Sequence, residues 1–414
     1  MYRYTRRAPA DPLADRFRRD GPTLLSYGAL AGFAFWLYAF GPALALLRAD
    51  LHFSYALIGI YSALWAGGAA VSGAVFAPLA RSLSRSALLW WSAAGATSGA
   101  ALFAFSRSVA PAMVAAAVLG LAGTTLLTCT QSIMSDRHGD RRDRALTEAN
   151  VGAAACAVLA PLLLGVLQGT PAGWRAAMAL PMLLLAGLYL RYRHQPLPAA
   201  PTAPRGTGRA RLPLSCWLLA AMVAAGVAVE FCVIYFGAEL LATTGLRTAQ
   251  AATAMSGFYF GILSGRAGAA WLTRRAGRTL ALLSASLAVT TGGFVIFWLA
   301  SAPVLAIAGL VLCGLGIANL YPLSLALALA AAPGAGDTAN GRIQLLGGVL
   351  VVAAPFLLGS LADHLGLRAA FVIEPMLIVA CAVLLVAGLA AGRRPAPQPG
   401  QLPDGPKCSS TRWA

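Results

Sequence analysis

The sequence predicts an all-α membrane protein, with twelve transmembrane helices arranged as two parallel six-helix repeats. Three observations predict this fold: a very low charge content, a succession of long uncharged apolar runs, and one proline, glycine and arginine pattern that returns about 194 positions later. Of the 414 residues, 59% are hydrophobic and 11% charged, with a mean hydropathy of +0.72. A typical soluble domain carries roughly 25% charged residues. A chain this poor in charge cannot cover a water-facing surface, so lipid is its expected solvent.

The uncharged runs give the elements in order. A charged lead of 20 residues precedes 27 uncharged ones, Gly21 to Leu47. That run is too long for a secretory core and long enough to cross a bilayer, so span 1 is expected to be retained. Runs 53–80, 86–106, 108–135, 149–174 and 176–190 supply spans 2 to 6. In the second half, runs starting at 212, 248 and 343, each extended past a charge or a loop, supply spans 7, 8 and 11. The 58 uncharged residues 279–336 must hold two spans, with Ser301-Ala302-Pro303 as the turn, and 369–391 supplies the last. Backbone polar groups in lipid must be satisfied within the segment, which makes all of these helices.

The expected organisation is a tail 1–20, a six-helix half 21–194, a linker 195–213, a second half 214–392 and a tail 393–414. The linker carries Pro196, Pro198, Pro201, Pro204 and Pro213 among Gly and Arg, and the last segment is polar and Pro-rich. With the N-terminus inside, 25 Lys and Arg fall on inner loops and five on outer loops. The positive-inside rule then places both termini in the cytoplasm of a multi-pass plasma (cell inner) membrane protein. The same rule accounts for the net charge of +17, so nucleic acid is not an expected partner.

The halves repeat at a fixed offset. Ala160-Pro161, Gly165, Arg175-Ala176-Ala177 and Pro181 return as Ala354-Pro355, Gly359, Arg368-Ala369-Ala370 and Pro375. Arg81 and Arg85 after span 2 return as Arg274 and Arg278 after span 8, and Gly120-Leu121 as Gly314-Leu315. Six spans per half is an even number, so the halves enter the membrane in the same sense. Parallel repeats of this kind belong to transporters that rock one half on the other around a midplane site.

On span count, repeat and loop pattern, residues 23–391 resemble the major facilitator superfamily. The family's signature after span 2 holds a Gly, an Asp-basic pair, a second Gly and further basic residues. Here Ala77-Pro78-Leu79-Ala80-Arg81-Ser82-Leu83-Ser84-Arg85 puts Arg81 at the Asp position and replaces both glycines. Arg274-Arg275-Ala276-Gly277-Arg278 keeps the second Gly and the basic cluster. In span 5, Gly152, Ala160-Pro161 and Gly165 resemble a degraded form of the motif of the family's proton antiporters, or else a kinked packing helix. The resemblance implies a cavity lined by spans 1, 4, 7 and 10, contact of span 5 with span 8, and a monomer.

Charges inside spans are costly and point to function, and Glu230 near the middle of span 7 is the expected proton carrier. Glu239 and Glu374 read instead as interfacial carboxylates. Thr124, Thr128 and Gln131 share one face of span 4 and form an expected cavity stripe. Asn319 and Tyr321 precede a helix-bending Pro322 in span 10. Trp36, Tyr38 and Phe40 either line the cavity from span 1 or simply pack. Glu148 and its repeat mate Arg342 start spans 5 and 11. Glu148 is expected to meet Arg266 or Arg274 and hold one conformer, with Arg81, Arg85, Arg275 and Arg278 in the same latch.

No catalytic constellation, nucleotide loop or metal-spaced cluster occurs, and the seven cysteines form no CxxC pair. An enzyme is therefore not expected, and neither is a cofactor or metal. The expected partners are a small-molecule substrate, protons and membrane lipid. The functional expectation is a proton-coupled secondary transporter of small organic molecules, most simply an exporter. Uptake by proton symport and, more distantly, a membrane-embedded sensor or enzyme remain as alternatives.

Overall fold

The structure, a computed structural model, describes residues 18–198, 212–272, 279–333 and 336–392. Among these residues there are no strands, and twelve long helices follow in order. They are α1 (Gly21–Leu51), α2 (Tyr55–Ser82), α3 (Arg85–Phe105), α4 (Val109–His138), α5 (Arg142–Gln168) and α6 (Arg175–Tyr192). The second half comprises α7 (Leu214–Ala242), α8 (Thr248–Leu272), α9 (Thr279–Leu299), α10 (Pro303–Ala330), α11 (Gly336–Leu365) and α12 (Leu367–Gly392). Ten of these are long and apolar enough to cross a membrane; α6 and α8 complete the pattern. At 1.5 Å per residue the 18 residues of α6 span about 27 Å, close to the hydrocarbon thickness. α8 is flanked by α1, α5, α7 and α10, so less of it has to be apolar towards lipid.

Short-range chemistry sets the helix ends. Asp20 caps α1 by accepting from the Thr23 amide (3.2 Å) and hydroxyl (2.7 Å), and Pro22 occupies the first turn, where no amide partner is needed. His52 closes the other end in the left-handed conformation. Ser84 caps α3 through the Ala87 amide, and Pro303 opens α10 at the expected turn.

Packing reproduces the sequence repeat as geometry. A Cβ on Gly68 would collide with Ala117 and Leu121 of α4, and one on Gly261 with Val311 and Leu315 of α10. Gly120 abuts the Trp65 carbonyl, and its mate Gly314 abuts that of Phe258. Each pair of contacts is displaced by 193 or 194 positions, so small residues let equivalent helices approach in both halves.

The halves meet through crossed pairs. α5 packs on α8 and α2 packs on α11. A Cβ on Gly165 would strike Thr253 and the Ala249 carbonyl, and one on Gly359 would strike the Tyr55 carbonyl. Residue 249 is the repeat mate of 55, so the two interfaces are related by the same approximate two-fold that relates the halves. α1 and α7 run through the centre and touch at Gly41, where any side chain would hit the Ile234 carbonyl. Both are buried over most of their apolar length.

Candidate substrate site and gates

α4 and α10 each lose regular geometry at related places. α4 carries a π-helical turn at Leu119–Gly123, and α10 breaks between Ile317 and Leu320. Position 124, where α4 resumes, maps onto 318, where α10 is interrupted. Beyond these points Thr124–His138 packs on α1, α2, α3 and α5, while Leu320–Ala330 packs chiefly on α7. On this face, where the described chain begins and ends (the terminal face), each segment therefore packs within its own half or on the central helices.

Thr124, Thr128 and Gln131 are half-buried and form the stripe left over when the rest of α4 packs away. The opposite side of α4 is tied down: Thr125 hydrogen-bonds Ser72 of α2 at 2.8 Å, and Cys129 lies against the Arg85 carbonyl. The Thr128 hydroxyl returns to the Thr124 carbonyl at 2.9 Å, within α4.

Glu230 is half-buried on α7. It lies within electrostatic reach of Arg266 on α8, and both reach the Tyr38 hydroxyl on α1. Tyr259 completes the group. Its ring meets Tyr38 edge-on at 5.0 Å, and its hydroxyl donates to the Tyr38 carbonyl at 3.3 Å. The cluster thus joins one carboxylate, one guanidinium and two phenols drawn from both halves. Arg266 is exposed and closes no ion pair among the described residues. Nothing in the sequence singles out Tyr259, because an aromatic in a polar-poor helix carries no special signal.

Several expected site residues stand elsewhere. Trp36 is fully buried and donates its indole N–H to the Met178 carbonyl of α6 at 3.0 Å, so it packs inside the first half. Phe40 is also buried, among Trp65, Phe103 and Tyr235. Tyr38, two positions from each of them, points to a different side of α1 and meets Tyr259 of α8. Asn319 is buried and donates to the Gly265 carbonyl at 3.2 Å, bracing the break in α10 against α8 one residue from Arg266. Tyr321 remains half-buried beside it.

The expected latch at the terminal face is also rearranged. Glu148 accepts from Arg19 (2.8 Å), Arg144 (3.1 Å) and Tyr27 (3.2 Å), all of its own half, and not from Arg266. Arg19 and Tyr27 lie at the start of α1 and fold over α5, so they reach the carboxylate before α8 can. Arg85 is buried and pairs with Asp136 at 2.7 Å, again within one half. Arg81 and Arg342 are exposed. Arg274, Arg275 and Arg278 lie outside the described residues. Nearby, burial pushes the Asp20 carboxyl upward, but hydrogen bonds from Thr23 and Arg137 outweigh it and hold it below the usual carboxylate range. In the antiporter-like motif, Gly165 is required by its contact with Thr253, Gly152 faces open space and Pro161 sits within α5.

The opposite, distal face is where charges bridge the halves. Arg48 of α1 pairs with Glu239 of α7 at 3.1 Å and stacks over the Tyr55 ring at 3.7 Å. Asp363 of α11 accepts from the Tyr55 and Ala56 amides at 2.7 and 2.9 Å, capping the N-terminus of α2 from the other half. Glu239 is thus a buried, paired carboxylate and not an interfacial one. Glu374 departs further: it is fully buried beside Cys232, with neither carboxyl oxygen in hydrogen-bonding geometry among the described residues. The distal face is closed by these links, which identifies the conformer as one sealed at that end.

Two six-helix halves meet around a polar inter-half cluster and are linked by charges at one face. The sequence matches the family model of the Major Facilitator Superfamily over residues 24–336 and 216–411, and the chain belongs to that family. It is a multi-pass membrane transporter and not an enzyme. No curated protein matches it. Among solved structures, a bacterial homologue of the human lysosomal transporter Spinster, in its inward-facing unoccupied conformation, aligns with TM-score 0.67 at 15% identity, over 90% of this chain and 95% of that one. The nucleoside transporter NupG aligns with TM-score 0.68 at 14% identity, over 91% and 99%. A point mutant of the peptide transporter POT aligns with TM-score 0.71 at 16% identity, over 90% and 95%. At these identities the likeness is one of fold.

Proposed function

We propose that this chain carries small organic molecules across the plasma membrane by alternating access, driven by protons bound at Glu230, and that it works as a monomer in the direction of export. The observation that supports this most is the Glu230 cluster itself. A carboxyl group placed between the halves, half-open and within reach of a guanidinium, can exchange a proton for a charged group of the substrate. The carboxylate is drawn to Arg266 when empty; a bound proton releases Arg266. Tyr38 and Tyr259 supply aromatic surface and hydroxyls for an organic solute. With the basic loops inside, the terminal face is cytoplasmic and the closed distal face is external. One charge moved through 100 mV supplies about 2.3 kcal/mol, roughly a fiftyfold gradient.

A second reading has its own support. Arg266 stands in the cluster and not at a distant latch, so a carboxylate-bearing or zwitterionic solute has a cationic anchor beside the proton site. That favours uptake by proton symport. The packing role of Gly165 also removes part of the case for export.

The test uses inverted vesicles and a pH-sensitive dye. Addition of a panel of amphipathic solutes is expected to release protons from acidified vesicles holding the native protein, and not from vesicles holding Glu230→Gln. Solute accumulation driven by protons in right-side-out vesicles alone reverses the direction to uptake. A response that survives Glu230→Gln removes the assigned carrier.

A further inference from the structure

A groove of about 520 Å³ runs between α3 and α6 on the outer surface of the first half. Its α3 wall is made of small residues, including Ala87, Ala94, Thr97 and Ser98, and its α6 wall of Met182, Leu185, Ala186 and Tyr189. At the terminal-face end it is closed by Trp90 and Tyr189, whose rings meet edge-on at 5.1 Å, while Trp91 is 73% exposed beside them. The Trp90 indole N–H is buried with no hydrogen-bond acceptor among the described residues. On α6, positions 182, 185, 186 and 189 are spaced i, i+3, i+4 and i+7, and Arg193 continues the same stripe at i+11. Arg193 is exposed and helical in backbone conformation.

We propose that this groove holds one acyl chain of an anionic phospholipid, with its phosphate on Arg193. Each part matches a requirement of that ligand. The groove faces outward from two helices of a membrane bundle, where the available partner is a hydrocarbon chain. Its small-residue wall gives the chain depth that Leu or Phe would fill. Trp and Tyr sit where a headgroup meets hydrocarbon, as interfacial aromatics do. The cation is at the same end, and basic sites between membrane helices select anionic headgroups. The inter-half cluster takes no part in the groove, so the proposal is independent of the transported solute.

Native mass spectrometry of the detergent-solubilised full chain, titrated with phosphatidylglycerol and with phosphatidylcholine, tests this. The wild type is expected to retain one phosphatidylglycerol more tightly than phosphatidylcholine. Arg193→Gln should weaken that lipid about fivefold, the worth of one basic residue at a lipid surface. Ala94→Phe, which fills the groove from its lipid side without touching the core, should abolish retention of either lipid at the site. Equal retention by wild type and Ala94→Phe overturns the site. Equal retention of the two lipids, or no effect of Arg193→Gln, overturns the anionic headgroup.

Discussion

Glu374 and Glu230 show how differently two intramembrane carboxyls can be housed. Glu230 opens onto the space between the halves with Arg266 and Tyr38 in reach. Glu374 is sealed at 0% exposure beside Cys232, and neither carboxyl oxygen has a hydrogen-bond partner by geometry among the described residues. An unpartnered buried polar group costs about 1–3 kcal/mol by mutational measures. Glu374→Met, of similar length, is therefore expected to raise thermal stability in detergent and to leave solute transport unchanged; a lower melting temperature or lost transport would assign Glu374 a task. In the sequence both residues are lone acids in apolar runs, and the depth of Glu230 in its run marks it as intramembrane. Nothing in the run betrays that Glu374 turns inward towards α7, because which side of a helix meets a neighbour depends on the tertiary packing. The same gap explains Trp36, which packs on α6, and Phe40, which packs among Trp65, Phe103 and Tyr235, although both share a run with Tyr38.

At the level of elements, ends were legible and interiors were not. Charges and turn residues bounded most runs, and Ser301-Ala302-Pro303 is the turn between α9 and α10, whereas span 5, expected at 149–174, is the helix Arg142–Gln168, which takes charged residues into its first turns. The π turn at Leu119–Gly123 and the break at Ala318-Asn319 have no such local marker, although Pro322 correctly pointed to irregularity in α10. Their positions are set by partners. Asn319 is held by the Gly265 carbonyl, and Gly120 by contact with Trp65. The glycines in the repeat were legible as a pattern, and the structure supplies their reason: Gly120 and Gly314 in the α2–α4 and α8–α10 contacts, Gly359 and Gly165 in the α2–α11 and α5–α8 crossings. Those crossings make a prediction. A branched side chain at Gly359 must push against the Tyr55 carbonyl, so Gly359→Val is expected to hold α2 off α11. It should slow transport at least tenfold, a loss of about 1.4 kcal/mol, while the protein still inserts. Gly152→Val, which meets open space, should transport normally. Equal losses from both substitutions would mean that α5 and α11 respond to glycine itself and not to the crossing.

For the whole molecule, the decisive asymmetry lies between the two faces. At the terminal face the ion pairs of Glu148 and Arg85 stay within the first half, whereas at the distal face Arg48–Glu239 and the Asp363 cap on α2 join the halves. The repeat does not extend to these links: Asp363 has Gly169 as its mate, and Glu239 has Ala45, so the second crossing lacks equivalent charges. A two-state carrier shifts its population by the free energy that one state gains over the other. Links made only when the distal face is closed therefore favour this conformer selectively, and removing them should release the distal face without harming the fold of either half. Ala238, buried on α7 next to Glu239, reports on that face. In a cysteine-free background carrying Ala238→Cys, labelling by a membrane-impermeant maleimide from the distal side is expected to be slow. It should accelerate in Arg48→Ala and in Asp363→Asn, and accelerate most in the double variant. Charge reversal of the pair, Arg48→Glu with Glu239→Arg, should restore slow labelling if the ion pair is what holds the face shut. If labelling stays slow in every variant, the seal comes from the aromatic and glycine packing beneath, at Phe40, Tyr235 and Gly41, and the charges merely decorate it.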